Sequence, residues 1–279
     1  MIDLHLHTAA SDGTDSPAEL VRACREAGIA TMGVTDHDTT AAIPEVAREA
    51  ERAGLEFVPG IEITAAWEGS DVHLLGYFVD HESLVLRAFL EEQIGDRIRR
   101  ARAVAGRLVS LGVPVDMESL IARAEGRPVL RPHIAQALVE AGHVEKEREA
   151  FDRYIGEDKP AYVARRGATP AEVVAIIRKA GGISSMAHPA VTGQDALIPE
   201  LAMAGLDALE AYHTDHTDDD TARYLALARR LGLAVSGGSD FHGFRSEHSN
   251  GFGRVNLPAA EFTAFRRRAR GRVLGRTRV

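Results

Sequence analysis

His5 and His7 stand two residues apart in Met1-Ile2-Asp3-Leu4-His5-Leu6-His7, where apolar and polar residues alternate. A period of two is the signature of a strand, so both imidazoles emerge on one face while Leu4 and Leu6 turn towards a core. Asp12 follows in a Ser-Asp-Gly turn, and two nitrogen donors with a nearby carboxylate are the beginnings of a metal site. A lone His-x-His is as readily a pair of satisfied buried histidines, so the remaining donors decide. His37 follows a second predicted strand, Glu62 lies in a third, and His73 comes eleven residues after Glu62. His188 ends Ser184-Ser185-Met186-Ala187, and Asp240 with His242 repeats the spacing of the opening pair after Gly237-Gly238-Ser239. Polar interruptions recurring where strands end are hard to attribute to chance burial, and strand carboxyl ends are where a barrel builds its active site.

The elements that must position these donors are legible as punctuation. Ser16-Pro17-Ala18-Glu19 reads as an N-cap, a Pro at the first helical position and an acidic first turn, opening a helix that closes at Gly28. A strand over 29–35 runs into Asp36-His37-Asp38 and a helix ending near Gly54. Phe57 to Thr64 is a strand interrupted at Pro59-Gly60, and Trp67 to Asp71 is a turn that predicts a hairpin between 61–66 and 72–79. From about Glu82 the pattern is helical for roughly eighty residues, broken at Gly112, Gly126 and Gly142, with the next strand-like run at Ala161-Tyr162-Val163. Alternation then resumes with a helix from Pro170 to Ala180, strands over 183–187, 206–212 and 233–236, and a helix from Asp218 to Leu231. Repeated βα units favour a parallel sheet covered on both faces, a barrel or a doubly wound fold. The expected organisation is a barrel over 1–82 and 166–279 with a helical subdomain inserted over 83–165.

At 279 residues, with 45% hydrophobic and 27% charged residues, the chain can bury an ample core. No apolar run approaches the ~18 residues that cross a bilayer. A first candidate ligand at residue 5 leaves no room for a signal peptide, so the expected location is cytoplasmic. Cys24 is the one cysteine, which excludes a disulfide framework and a thiolate zinc site. A net charge of −8 argues against a broad surface for duplex DNA, yet bound divalent ions can make an acidic protein's pocket attract phosphate. The arginines at 266, 267, 268, 270, 272, 276 and 278 read as a solvated helix face, with RNA contact the lesser reading. His81, His143 and His248 read as exposed. Asp36 and Asp38 read either as orienters of ligand imidazoles or as helix caps.

The segments Asp3-Leu4-His5-Leu6-His7, Thr35-Asp36-His37-Asp38, Gly60-Ile61-Glu62, Ala187-His188-Pro189 and Gly238-Ser239-Asp240-Phe241-His242 resemble the motifs of PHP (polymerase and histidinol phosphatase) domains. The resemblance spans the chain as far as about Pro258. It implies a distorted (β/α)7 barrel holding three divalent ions, with manganese first and iron or zinc as alternatives. His5, His7, Glu62 and Asp240 would hold one ion; a bridging Glu62 with His73 and His188 the second; Asp12, His37 and His242 the third. Such ions acidify water and neutralise phosphoryl oxygens, so no covalent nucleophile is needed.

The helical region, through Arg131-Pro132-His133 and Tyr154 to Val163, resembles the insert of 3′,5′-nucleoside bisphosphate phosphatases, a group also described as 5′-to-3′ exoribonucleases on short RNA. That resemblance implies a small nucleotide substrate or short single-stranded RNA, with no membrane and no obligate protein partner. Arg131 offers a planar fork for phosphate and His133 a second donor. Lys159, Tyr162 and His216 are further expected contacts. Histidinol phosphate is the rival substrate, and a non-catalytic metal-binding module is the rival of another class.

Overall fold

Three helices open on reciprocal caps that the sequence marks. The hydroxyls of Ser16, Thr169 and Thr217 accept from the backbone N–H three residues on, and the carboxylates of Glu19, Glu172 and Asp220 reach back. The computed structural model describes residues 1–245 and 251–276, with side chains as far as Gly271; His248 and Arg278 lie outside the described residues. Element order is β1 (Ile2–Leu6), α1 (Pro17–Glu26), β2 (Thr31–Val34), α2 (Ile43–Ala53), β3 (Glu56–Trp67) and β4 (Ser70–Tyr77). Helices α3 (Leu84–Ser110), α4 (Met117–Arg123), α5 (Arg131–Glu140) and α6 (Glu147–Ala150) follow, and a π-helical turn, Phe151–Ile155, extends α6. The chain continues with α7 (Pro170–Lys179), β5 (Ile183–Met186), α8 (Pro189–Thr192), α9 (Leu197–Ala204), β6 (Ala208–His213), α10 (Asp218–Leu231), β7 (Ala234–Gly238) and α11 (Ala259–Arg276).

The seven strands pair in sequence order. Leu6 bridges Phe241 in parallel, Asp240 N–H donates to the His5 carbonyl, and His7 N–H donates to the Phe241 carbonyl, so the sheet nearly closes on itself. Gly238 permits this approach, because a Cβ there would lie 2.3 Å from the backbone nitrogen of His5. The expected βα alternation is broken at one strand. β4 runs antiparallel to both β3 and β5, so the predicted hairpin sits within the barrel wall. β3 also continues through Pro59-Gly60, where an interruption was expected. Its pairing with β2 ends at Pro59 and its pairing with β4 begins at Gly60, so the missing proline N–H falls where one partner hands over to the next. Ala161 to Val163 forms no strand.

Leu74, Ile183, Leu209 and Val235 belong to the barrel core, while Leu6, Val21, Met32 and Val46 pack under α1 and α2. A separate apolar cluster, including Val104, Leu108, Ile134, Leu138 and Ile155, holds α3 to the π-helical turn together. Between that layer and the barrel lies a buried ionic joint. Asp38, four residues beyond β2, accepts from Arg97 Nε at 2.7 Å and from Arg165 at 3.1 Å, and Arg165 also donates to Gln93 at 2.6 Å. The two guanidiniums outweigh the cost of burial and keep the Asp38 carboxyl below its usual range. Removing one partner of such a joint leaves charge unpaired in the interior. Asp38→Asn should therefore cost about 3–5 kcal/mol of unfolding free energy in urea denaturation; a loss below about 1 kcal/mol would mean that the joint is not what fastens the helices.

Candidate metal centre

Glu62, central in β3, is fully buried, and both of its oxygens face imidazoles. Oε2 lies 3.2 Å from His5 Nε2, 3.3 Å from His7 Nε2 and 3.2 Å from His37 Nδ1. Oε1 lies 2.9 Å from His73 Nδ1 and 3.2 Å from His188 Nε2. Asp240 Oδ1 closes on the same two β1 imidazoles, 3.2 Å from His5 and 3.0 Å from His7. The donors form three overlapping groups compatible with cations: His5, His7, Glu62 and Asp240; His37, Glu62 and His73; and His7, Asp12, His37 and His242. All nine sequence-predicted donors thus converge on one end of the barrel. The grouping differs: His37 reaches the second group as well as the third, His7 the third as well as the first, and His188, expected with Glu62 and His73, falls in none of the three although its Nε2 lies 3.2 Å from Glu62 Oε1.

Among the described residues, several of these atoms are buried without a hydrogen bond, including His7 Nε2, Asp12 Oδ1, His37 Nδ1 and Asp240 Oδ1. Buried polar atoms seldom go unpaired, and ones that point at a shared space want a cation. The donor set, nitrogen and carboxylate oxygen alone, fits divalent manganese, iron or zinc. His188 and Asp240 hold φ of +26° and +55°, a strained backbone for residues with side chains and one that tends to mark functional sites. Burial works against charging His7, yet Asp240 and Glu62 push its imidazole up to about 10. At His37 burial prevails and pulls the imidazole down to about 3. Against the same burial cost, the surrounding imidazoles hold the Glu62 carboxyl well below its ordinary range.

Two residues that sequence reasoning passed over complete the floor. Glu210 accepts from His5 Nδ1 at 3.0 Å and from the His188 backbone N–H at 2.7 Å. That fixes the tautomer of His5 and leaves its Nε2 lone pair facing Glu62 and Asp240. His242 is set the same way, its Nδ1–H donating to the Asp240 carbonyl at 2.8 Å. His213 ends β6 with its Nε2 3.7 Å from Asp240 Oδ2. The available signal was a glutamate inside the otherwise apolar run from Ala208 to Ala211.

The flanking aspartates neither orient imidazoles nor cap a helix. Asp36 accepts from the Thr8 backbone and from the Thr8 and Ser11 hydroxyls, Asp38 makes the arginine joint, and the N-cap of α2 is Ala42. His81 and His143 are half-buried rather than exposed, and His143 Nε2 donates to the Pro114 carbonyl. Arg131 and His133 line a cavity of about 1300 Å³ together with Asp12, His37, His73 and Asp240. Arg131 approaches Asp71 at 3.4 Å, and Arg100 shares that carboxylate at 3.2 Å. Both nitrogens of His133 are engaged: Nδ1 accepts from Leu130 N–H, and Nε2 donates to the Ser11 carbonyl beside Asp12. Lys159, Tyr162 and His216 are not among the lining residues. Lys159 is exposed. Tyr162 donates to the Gly69 carbonyl beneath Arg100 and Arg131, and His216 is held between the Ala211 carbonyl and Ala190 N–H.

A barrel gathering imidazoles and carboxylates around shared centres, beside an arginine-bearing wall, has the architecture of a metal-dependent phosphoesterase. The chain belongs to the PHP domain family, whose sequence model matches residues 3–156. It is 35% identical over 247 residues to the 5′-3′ exoribonuclease Rnm of Salmonella typhimurium, covering 86% of this chain and 84% of that protein. It is 32% identical to a 3′,5′-nucleoside bisphosphate phosphatase of Chromobacterium violaceum, covering 86% and 87%. A structure from Bifidobacterium adolescentis described as a candidate metal-dependent phosphoesterase superposes with a TM-score of 0.86 at 32% identity, covering 95% of each chain. A sulfate-bound amidohydrolase structure from Chromobacterium violaceum gives 0.84 at 31%, covering 96% of each. Among the described residues, no helix is long and apolar enough to cross a membrane.

Cation binding must displace the proton that His7 carries. Its imidazole is raised from an ordinary ~6.5 to about 10, so apparent manganese affinity should climb with pH across that window and flatten above it. Titration calorimetry at pH 8 in buffers of different ionisation enthalpy should register proton release; uptake with none would show that His7 is not displaced. Glu62→Gln, which removes the shared carboxylate, should lower manganese content per chain as well as turnover. Full metal content in that variant, by elemental analysis, would remove Glu62 from its bridging place.

Proposed function

We propose that the chain hydrolyses the 3′-phosphate of nucleoside 3′,5′-bisphosphates, releasing nucleoside 5′-monophosphates, and that it also shortens 5′-phosphorylated RNA stepwise from the 5′ end. The nine donors would hold three divalent ions, manganese first, and bound ions supply acidified water and charge neutralisation at the phosphoryl oxygens. Residues 83–165 are read as a cap inserted into the barrel formed by 1–82 and 166–279.

The observation that carries this reading is the Arg100–Asp71–Arg131 arrangement on the wall of the cavity that holds the donor cluster. Two guanidiniums share one carboxylate, which leaves excess positive charge, and among the described residues Arg100 Nη2 is buried without a hydrogen bond. A second phosphate held there would orient the ester at the donor cluster, so remote binding lowers the barrier as well as improving affinity. Arg131 is the proposed clamp. His133 keeps the loop carrying Asp12 against α5, which serves the site without reaching the substrate. The names of the relatives from Salmonella and Chromobacterium support both the nucleotide and the RNA substrate. A non-catalytic module would have no use for a complete donor set facing an arginine wall.

Arg131→Ala should cost about 1.5–3 kcal/mol in kcat/KM for the bisphosphate, the range of a hydrogen bond to a charged group. The same variant should leave hydrolysis of a small generic phosphate ester nearly unchanged. A panel of 3′,5′-bisphosphonucleotide, 5′-monophosphate, histidinol phosphate and short RNA reads out both points. Equal losses on the generic ester and the bisphosphate, or a wild-type preference for histidinol phosphate, would sink this assignment.

A further inference from the structure

We infer that His213 is a catalytic residue whose Nε2–H donates a hydrogen bond to a phosphoryl oxygen of the bound ester. Its tautomer is set from behind. The Asp215 backbone N–H donates to His213 Nδ1 at 3.1 Å, so that nitrogen presents a lone pair and the ring proton sits on Nε2. The ring is almost wholly buried yet lines the cavity beside His188, Asp240 and His242. Among the described residues its Nε2 makes no hydrogen bond of ordinary length, the facing acceptor, Asp240 Oδ2, lying at 3.7 Å. A buried donor left empty costs free energy unless something arrives to take the proton's direction. In this cavity the arriving group is the phosphoryl oxygen set.

The competing assignment is a further cation between His5, Glu210 and His213, whose donor atoms lie close together. The tautomers oppose it. His5 Nδ1 gives its proton to Glu210 and His213 Nε2 carries a proton, so neither imidazole offers a lone pair there and Glu210 would be the sole protein ligand of the three. His213 is therefore a donor where the nine metal-facing residues are acceptors. The inference rests on the phosphoester reading but is indifferent to which ester is used.

In the zinc-loaded protein, long-range 1H–15N spectra, with the ring at 213 assigned by comparison with His213→Ala, should show the Nε2–H tautomer. His213→Ala should keep its zinc content, while its affinity for inorganic phosphate and its kcat/KM for both the bisphosphate and the generic ester fall about ten- to hundredfold. His213→Gln, whose amide N–H can occupy the Nε2 position, should recover a large part of that loss. This pattern differs from that of Arg131→Ala, which spares the generic ester, so failure of one assignment is not failure of the other. An Nδ1–H tautomer, zinc lost in step with activity, or unchanged phosphate affinity in His213→Ala would each overturn the inference.

Discussion

A carboxylate with no exposure to water stays ionised only where neighbours replace the lost hydration, and Glu62 has imidazoles against both of its oxygens. Those imidazoles arrive from β1, the segment after β2, β4 and the turn after β5. No two of those strand ends can drift apart without exposing Glu62 to unbalanced charge. The barrel's nearly closed sheet and the donor cluster are therefore two descriptions of one constraint. Glu210 and the Asp240 carbonyl extend it outward, each fixing which nitrogen of a ring faces inward.

The helical layer is tied to this centre by polar contacts as well as by packing. Arg97 and Arg165 grip Asp38, one residue from His37, and His133 and Arg127 reach the carbonyls of Ser11 and Ala9, next to Asp12. The arginine-bearing helices and the barrel loops that carry Asp12 and His37 are thus joined by direct polar contacts. A displacement of α5 would be felt at Asp12, which gives the cavity wall a mechanical link to the chemistry beneath it.

Much of this was legible in the sequence because it was written in local patterns. Strand periodicity placed His5 and His7 on one face, Ser16 with Pro17 and Glu19 set the start of α1, and turn residues announced the β3–β4 hairpin. That these nine polar residues would gather at one end of the barrel was recoverable from residue type and the family's motifs. What escaped depends on partners far away in sequence. Glu210 looks like a lone polar residue until β1 is brought beside β6, and Asp38 like a helix cap until α3 and Arg165 arrive. His213 was overshadowed by His216, because one residue in strand register decides which ring enters the cavity, and β6 shifts register between Glu210 and Tyr212. His133 has the right type for a phosphate contact, yet its backbone partners, invisible to spacing, had already claimed both nitrogens.

The reversed strand β4 delivers the chain to the wrong end of the barrel. Tyr77 pairs with Ile183 at the start of β5, so the polypeptide leaves β4 at the floor, while Arg97 meets Asp38 at the mouth. The first half of α3, from Leu84 to Arg97, is the climb back, about 20 Å at 1.5 Å per residue, and the rest of the helix rises beyond the mouth. Helix length therefore acts as a ruler that sets how high α4 and α5 stand above the donors. Adding or deleting residues beyond Arg100 would lift or lower that roof by 1.5 Å and turn it by about 100° for each residue. Chains sharing this barrel could thereby fit substrates of different size without altering a single donor.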